Sequence, residues 1–232
     1  MSREAKILIA ILIIVVGGLI GLFALANKTT PPPAGDKNAI VRDDSYKQGS
    51  GPIQVVEFGD YQCPACGQAY PILKQIEADF NGKITFYFRN FPLTQLHPNA
   101  NAASNAAEAA GAQGKYWEMH DKLYETQSDW GDLTKNLSAA DAEAKWVGYA
   151  KDLGLDTDKF KSAVENQQYQ SRIDQDVADG NAQGINGTPT IYVNGQKVDN
   201  FNYASIRDAI NAALAASPSP SPSSSPSASP HS

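Results

Sequence analysis

The chain has only two cysteines among its 232 residues, Cys63 and Cys66. One pair cannot provide a disulfide scaffold, so the stability of the fold must come from a hydrophobic core. Histidine is scarce too, and His97, His120 and His231 show no metal-ligand spacing. A tetrahedral zinc site beside the cysteines would need more nitrogen and sulfur ligands than these. We therefore expect no resident metal ion.

Basic clusters, repeats and phosphate-binding loops are also absent. The formal net charge is −6 at pH 7, which argues against nucleic acid as a partner. Neither common Gly-rich phosphate loop occurs, and no segment recurs at a fixed period. About 170 residues remain between the terminal segments, which suits one domain of ordinary size.

The longest apolar run is residues 7–26, which carry no charged side chain. Its 20 residues are sufficient for a helix that crosses a bilayer. Arg3 and Lys6 precede it, which favours a cytoplasmic segment at residues 1–6. The alternative is a cleaved signal peptide, since residues 24–26 read Ala-Leu-Ala, but the run exceeds the roughly 7–15 apolar residues of such a peptide. We expect an uncleaved signal-anchor, and an exported domain on either interpretation.

Composition also indicates where the folded domain begins and ends. Residues 27–50 are polar and contain three consecutive prolines, which predicts an extended stalk. Residues 217–232 are almost entirely serine and proline and are predicted to be disordered, because they have too little apolar surface to offset the entropy of ordering. The folded domain is therefore predicted at residues 51–216.

The cysteines stand between a strand pattern and a helix pattern. Residues 53–58 predict a buried strand, and residues 67–80 carry apolar side chains at helical spacing. Residues 83–91 are rich in aromatic and β-branched types, which predicts a second strand, and two strands around one helix indicate parallel pairing. Residues 97–180 have helical character and indicate an inserted lobe. Asn194-Gly195 then predicts a hairpin turn.

Cys63 is predicted to lie at the N-terminal end of a helix. Unpaired backbone N–H groups and the helix dipole stabilise negative charge there, and the thiolate is the reactive form of cysteine. Cys63 therefore suits a nucleophile, and Cys66, one turn further along, its resolving partner. The alternatives are a structural disulfide, which would stabilise little across so short a loop, a soft-metal site for copper, and two unrelated thiols. The flanking elements and the expected export favour redox chemistry.

Four stretches, in this order, carry a resemblance to a known family. They are Phe58-Gly59-Asp60-Tyr61-Gln62-Cys63-Pro64-Ala65-Cys66, Phe88-Arg89-Asn90-Phe91-Pro92-Leu93, Gln113-Gly114-Lys115-Tyr116-Trp117-Glu118-Met119-His120-Asp121 and Gly184-Ile185-Asn186-Gly187-Thr188-Pro189-Thr190. Over about residues 50–215 the chain resembles the membrane-anchored, DsbA-like thiol–disulfide oxidoreductases, close to Gram-positive-type disulfide-formation proteins. The resemblance implies an α/β thioredoxin fold with an inserted helical domain, here preceded by one transmembrane helix.

The resemblance also implies roles for particular residues. Cys63 matches the family's exposed nucleophile, and Cys66 its buried resolving cysteine. Pro189 matches a cis-proline that packs against the disulfide, and the backbone of Thr188 would pair with a substrate strand. Glu57 matches an acidic residue beneath the start of the helix. An acid in an apolar strand must be hydrogen-bonded or have a raised pKa, which would let it move the proton of Cys66; the alternative is a solvated glutamate on an edge strand.

The dipeptide between the cysteines, Pro64-Ala65, departs from the family pattern. Its best-known strong oxidants have Pro-His there, and a histidine can help to stabilise the thiolate whereas Ala65 cannot. The sequence therefore leaves the direction of electron flow open. Disulfide formation in exported proteins is the first hypothesis, with a reductase or isomerase of the same fold as the alternative. A soft-metal carrier or a non-catalytic binding module is the remote alternative.

The oxidase hypothesis implies further partners and a location. The redox-active Cys63–Cys66 disulfide would serve without any bound cofactor, and a quinone-linked membrane protein would re-oxidise it. The enzyme would be a single-pass membrane protein with an extracytoplasmic domain. Asp60, Tyr61 and Gln62 are predicted only to shape the surface near the cysteines, His97 to be a loop residue, and Trp117 and His120 to pack in the helical lobe.

Overall fold

The computed structural model describes residues 40–135 and 137–216. The predicted membrane anchor, the first part of the predicted stalk and the Ser/Pro tail lie outside these ranges. Within the ranges, no helix combines the length and the apolar character that crossing a membrane requires.

A mixed sheet forms the centre of the described part of the chain. Its strands are β1 (Lys47–Gly49), β2 (Ile53–Gly59), β3 (Ile84–Asn90), β4 (Thr190–Val193) and β5 (Gln196–Lys197). Their spatial order is β1-β3-β2-β4-β5. β2 and β3 pair in parallel, which confirms the prediction from the sequence, and the other neighbours pair antiparallel. β2 is therefore central, and its C-terminal end delivers the chain to the cysteines.

Helices surround the sheet and build the inserted lobe. They are α1 (Pro64–Asp79), α2 (Ala100–Gly111), α3 (Tyr116–Glu125), α4 (Gln127–Trp130), α5 (Ala139–Asp152), α6 (Thr157–Glu165), α7 (Gln170–Ala182) and α8 (Tyr203–Ala216). α1 connects β2 to β3, and α2 to α7 lie between β3 and β4 in the chain. The predicted helical insertion at about residues 97–180 is thus confirmed. Its ends are marked by local signals such as Asp156, whose side chain caps α6 by accepting a hydrogen bond from the N–H of Lys159.

The predicted stalk, residues 27–50, is wrong in its C-terminal part. Lys47 begins β1, which pairs with β3 at the edge of the sheet, and its carbonyl accepts a hydrogen bond from Trp117 Nε1 at 3.0 Å. Further upstream, the Ile40 carbonyl accepts a hydrogen bond from Arg89 Nη1 at 2.9 Å. A three-residue polar strand such as β1 lacks the alternation of apolar and polar residues by which a strand is predicted from sequence. It forms because β3 offers it a partner. The folded domain therefore includes residues 40–50.

Apolar side chains cover both faces of the sheet. The larger cluster joins one face to α1, α8 and the lobe, and both cysteines belong to it. The smaller cluster covers the other face with Val56, Phe58, Tyr87, Phe91, Ile185 and Tyr192. The cysteine pair is thus built into the main core, and the precise packing of the core fixes its geometry.

A buried group of charges ties the lobe to the sheet. Arg89, in β3, is fully buried, and its guanidinium contacts Asp176 at 2.6 Å and Asp179 at 2.7 Å, both on α7. The neighbouring Asn90 donates through Nδ2 to Glu108 on α2 at 2.9 Å. Since buried charges are stable only when they are paired, these contacts fix how the lobe sits on the sheet.

Candidate active site

The loop after β2 places the two cysteines at the start of α1. Cys63 is the N-cap residue of the helix and Pro64 its first residue, a position that suits proline because the N–H there would have no partner in the helix. Both cysteines are free thiols. Cys66 is completely buried, and Cys63 is only 5 % exposed, less than the exposed nucleophile that the resemblance implied. The sulfur of Cys63 lies 3.5 Å from the carbonyl oxygen of Thr188.

The two thiols have opposite acid strengths. A hydrogen bond from the Cys66 side chain lowers the pKa of Cys63 to about 5, in spite of its burial. The Thr188 side chain and the backbone N–H groups of Ala65 and Cys66 act in the same direction. Burial raises the pKa of Cys66 well above its ordinary value. At neutral pH the reduced pair is therefore a Cys63 thiolate beside a Cys66 thiol.

Ala65 takes part in the site through its backbone. Its N–H is one of the groups that lower the pKa of Cys63, as expected at the first turn of a helix where N–H groups have no partner within the helix. The methyl side chain adds no charge. The low pKa of Cys63 thus arises without a histidine between the cysteines.

Glu57 lies in the middle of β2 and is only 2 % exposed. Because β2 has β3 on one side and β4 on the other, the alternative of a solvated glutamate on an edge strand is excluded. Its Oε1 has no hydrogen-bond partner among the described residues. Burial, together with the charges of Cys63 and Glu77, raises the pKa of Glu57 to about 8. Of the two conditions expected from the sequence, a hydrogen bond or a raised pKa, the second applies to Glu57, and a pKa of about 8 suits a group that exchanges protons near neutral pH.

Glu57→Gln is expected to change how stability depends on pH. Folded protein keeps the proton on Glu57 up to a pKa of about 8, whereas the unfolded chain releases it near the ordinary value of 4.5. Between these values the folded state binds more protons, so the parent's free energy of unfolding falls as the pH rises. Relative to the parent, the reduced variant should gain on the order of 3 kcal/mol from about pH 5 to about pH 8. Urea unfolding across this range measures the difference.

Glu165→Gln is the matched control for that series. Glu165 lies on α6 with half of its side chain exposed, so its replacement removes a solvated carboxylate. The free energy of unfolding of Glu165→Gln over the same pH range shows what the loss of a half-exposed carboxylate does by itself. A Glu57→Gln variant whose stability relative to the parent does not change with pH would contradict the buried proton.

The loop before β4 brings a second element to the cysteines. The Thr188–Pro189 peptide bond is cis, as the resemblance implied. The Thr190 hydroxyl donates to the Gly187 carbonyl at 2.8 Å and closes this loop. Thr188 and Pro189 are separated from Cys63 by more than a hundred residues of sequence, and it is the pairing of β4 with β2 that brings their loop to the cysteines.

Two polar residues near the cysteines hold the loop that leads to them. Gln127, on α4, donates through Nε2 to the carbonyls of Tyr61 at 2.8 Å and of Cys63 at 2.9 Å. The side-chain oxygen of Gln62 accepts a hydrogen bond from the N–H of Asn99 at 2.6 Å. Sequence reasoning gave Gln127 no role, because a single glutamine in a helical lobe carries no distinguishing signal.

Asp60 and His97 form a buried pair that the sequence did not reveal. Nδ1 of His97 lies 2.7 Å from Oδ2 of Asp60, whose other oxygen accepts the N–H of Gln62 at 2.8 Å. Asp60 is thus more than a surface-shaping residue, although His97 does lie in a loop, as predicted. His120 packs in the lobe as predicted, since it is buried among aromatic rings and burial lowers its pKa to about 3.

Comparisons with known proteins agree with this geometry. A family model described as thioredoxin matches residues 48–212. The Na⁺/H⁺ antiporter NhaA 1 of Salinispora arenicola is 38 % identical over 175 residues, which are 75 % of this chain but 25 % of the antiporter. The chain therefore spans about a quarter of the length of such antiporters. The probable disulfide bond formation protein D of Bacillus anthracis is 28 % identical, with 76 % of this chain and 80 % of that protein covered.

Solved structures show the same similarity in three dimensions. Oxidised BdbD of Bacillus subtilis superposes with a TM-score of 0.66 at 27 % identity, covering 74 % of this chain and 93 % of BdbD. A thioredoxin-like oxidoreductase from Silicibacter pomeroyi gives 0.63 at 28 % identity, covering 79 % of this chain and 100 % of that one. The residues that the family model matches, 48–212, include both cysteines and the inserted lobe. The chain belongs to the thioredoxin family.

Proposed function

We propose that this protein is a thiol–disulfide oxidoreductase that forms disulfide bonds in exported polypeptides. The observation that carries the proposal is the contrast between Cys63, with a pKa of about 5, and its buried partner Cys66. A stabilised thiolate favours the reduced form of the enzyme, which makes the disulfide form an oxidant. This contrast supports oxidation over the reductase alternative, because a reductase needs a less stabilised thiolate.

The reaction is a pair of thiol–disulfide exchanges. A substrate thiolate attacks the sulfur of Cys63 in the Cys63–Cys66 disulfide, the enzyme's S–S bond breaks, and Cys66 leaves with the electron pair. A second thiolate of the substrate then attacks the substrate sulfur of the mixed disulfide. Cys63 leaves as a thiolate, which its low pKa favours. The substrate has lost two electrons and gained a disulfide, and both enzyme cysteines are reduced.

Glu57 and the cis-proline loop would support these steps. Cys66 must take up a proton when it leaves, because burial raises the pKa of its thiol. Glu57, itself buried and with a pKa of about 8, would supply that proton and take it back on re-oxidation. The Thr188 carbonyl lies against Cys63, so a substrate strand that pairs with the backbone of Thr188 would bring its sulfur to the nucleophile.

Turnover also needs an electron acceptor and a location. We propose that residues 7–26 anchor the chain in the cell membrane, with the domain extracytoplasmic, and that a quinone-linked membrane protein re-oxidises the cysteines. Attachment to the same membrane would raise the effective concentration of the two proteins. Ion transport is no part of the proposal, because the match covers only a quarter of each antiporter.

A stoichiometric transfer experiment tests the proposed function. The oxidised full-length protein is mixed with a reduced peptide that contains two cysteines, and the free thiols of both are counted over time. We expect one peptide disulfide for each protein molecule, with two protein thiols appearing at the same rate. Tight copper retention without any thiol exchange would contradict the proposal and favour the metal-carrier alternative.

A further inference from the structure

We propose that His97, held as a cation by Asp60, is a positioning residue that stabilises the Cys63 thiolate and makes the Cys63–Cys66 disulfide more oxidising. The inference rests on the proposed function, since it concerns how strongly the same pair of cysteines accepts electrons. From the sequence, Asp60 was predicted only to shape the surface near the cysteines and His97 only to lie in a loop.

The first observation is the burial of the Asp60–His97 pair. Asp60 follows β2 and is completely buried, and His97, in the loop between β3 and α2, is 6 % exposed. Nδ1 of His97 lies 2.7 Å from Oδ2 of Asp60. The same oxygen accepts the N–H of Leu93 at 2.8 Å, and Oδ1 accepts the N–H of Gln62. A buried carboxylate requires a counter-charge or hydrogen bonds, and His97 supplies a hydrogen bond and, when it is protonated, the counter-charge.

The second observation is that this pair is tied to the nucleophile's own loop. The N–H of Cys63 donates to the carbonyl of Asp60 at 3.1 Å, which closes the turn between them. On either side of His97, the N–H groups of Leu93 and Asn99 are bound by the side chains of Asp60 and Gln62. The histidine therefore cannot move away without breaking bonds at both ends of its loop. Its ring is held against Asp60, the residue whose carbonyl is hydrogen-bonded to the N–H of Cys63.

The third observation is electrostatic coupling between His97 and Cys63. The hydrogen bond to Asp60 raises the pKa of His97 against the effect of burial, and the charges of Asp60 and Cys63 raise it further. Interactions between two titrating groups are reciprocal, so an imidazolium that the thiolate favours must favour the thiolate equally. His120 supplies no such charge, because its pKa of about 3 keeps it neutral.

The side chain of Ala65, between the cysteines, is neutral. The positive charge that stabilises the Cys63 thiolate is therefore supplied by a residue outside α1. The histidine that the best-known strong oxidants of the family carry between the cysteines is replaced here by Ala65, and His97 acts from the loop after β3. Because His97 is nearly buried, salt screens its effect less than it would screen that of a surface cation.

His97→Gln tests the inference, because it removes the charge and retains a polar side chain. The pKa of Cys63, followed by the ultraviolet absorbance of the thiolate, should rise by about one unit. The equilibrium constant for reduction by glutathione should fall about tenfold, which is about 30 mV for a two-electron couple. Lys161→Gln removes an exposed cation on α6 and is the matched control, expected to change neither value.

A second measurement needs no substitution and is unaffected by misfolding of a variant. NMR titration of the parent protein should give a higher pKa for His97 in the reduced form, which carries the Cys63 thiolate, than in the disulfide form, which does not. A merely structural histidine would titrate alike in both. His120 is the internal reference and should stay neutral in both forms.

The outcomes separate this inference from the proposed function. Equal His97 titrations in the two redox forms, with an unchanged equilibrium constant for His97→Gln, would overturn the inference even if the parent oxidises peptides. A parent protein without exchange activity would overturn the proposed function. In that case a redox-dependent His97 titration would still support the electrostatic contact.

Discussion

Cys63→Ser is expected to lower the rate of disulfide transfer at least about 1,000-fold. A serine hydroxyl is not ionised near neutral pH and cannot form the mixed disulfide. Both exchange steps therefore lose the sulfur atom that the substrate attacks and later releases. The measurement is the initial rate at which a reduced two-cysteine peptide is oxidised, with oxidised glutathione returning the enzyme to its disulfide form. Activity equal to that of the parent would contradict the assignment of Cys63.

Cys66→Ser is the matched control, since it makes the same chemical change one helical turn away. The variant retains the Cys63 sulfur but cannot form the Cys63–Cys66 disulfide that oxidises the substrate. It should therefore lose turnover, and without the peptide its Cys63 thiolate should attack oxidised glutathione, keep one glutathione as a mixed disulfide and release the other in reduced form, an adduct detectable by mass spectrometry. Finding the glutathione adduct at residue 63 in this variant and none in Cys63→Ser would identify which sulfur is the nucleophile.

Arg89→Met is expected to reduce the free energy of unfolding by about 3–5 kcal/mol. The substitution leaves Asp176 buried without its guanidinium partner and removes the 2.7 Å contact to Asp179. Breaking a buried pair is costly because the remaining charge is not solvated, whereas replacing all partners together need not be. Urea unfolding measures the change through the transition midpoint, with the slope unaltered if the folded state stays compact.

Arg207→Met provides the comparison for a surface arginine. Arg207 lies on α8 with 43 % of its side chain exposed, next to Asp208. Removing such a surface pair should cost less than about 0.5 kcal/mol. If Arg89→Met were no more damaging than Arg207→Met, the buried charges would not be what fixes the lobe on the sheet.

The elements that the sequence predicted well are those with a local physical signal. The apolar runs that became β2 and β3 and the helical spacing of α1 each depend on residues close together in the chain. The turn at Asn194-Gly195 is of the same kind. Both residues have positive φ, 45° and 78°, which asparagine and glycine tolerate better than other residues.

What the sequence could not reveal depends on residues brought together by folding. Lys47 belongs to a strand only because β3 offers an edge to pair with. Arg89 meets Asp176 across 87 positions, and Asp60 meets His97 across 37. A charged residue looks the same in a sequence whether its partner is water or a buried ion, so neither pair could be distinguished from surface charges.

The active site shows the same division. Cys63 and Cys66 were predicted from their spacing and flanking elements, and the raised pKa of Glu57 from its place in an apolar strand. Stabilisation of the Cys63 thiolate was predicted from its place at the start of a helix, but its extent was not, because Ala65 suggested a weaker oxidant. Helix N–H groups, the Cys66 thiol and the neighbouring loop lower the pKa without a side chain at residue 65, and their geometry exists only in the folded protein.

The redox potential of the protein, equilibrated against reduced and oxidised glutathione, tests the central claim most directly. A pKa of about 5 at Cys63 predicts an oxidant, with a potential nearer to the approximately −120 mV of DsbA than to the approximately −270 mV of thioredoxin. A potential at or below that of thioredoxin would contradict the account, because the thiolate would then not be stabilised enough to drive disulfide formation.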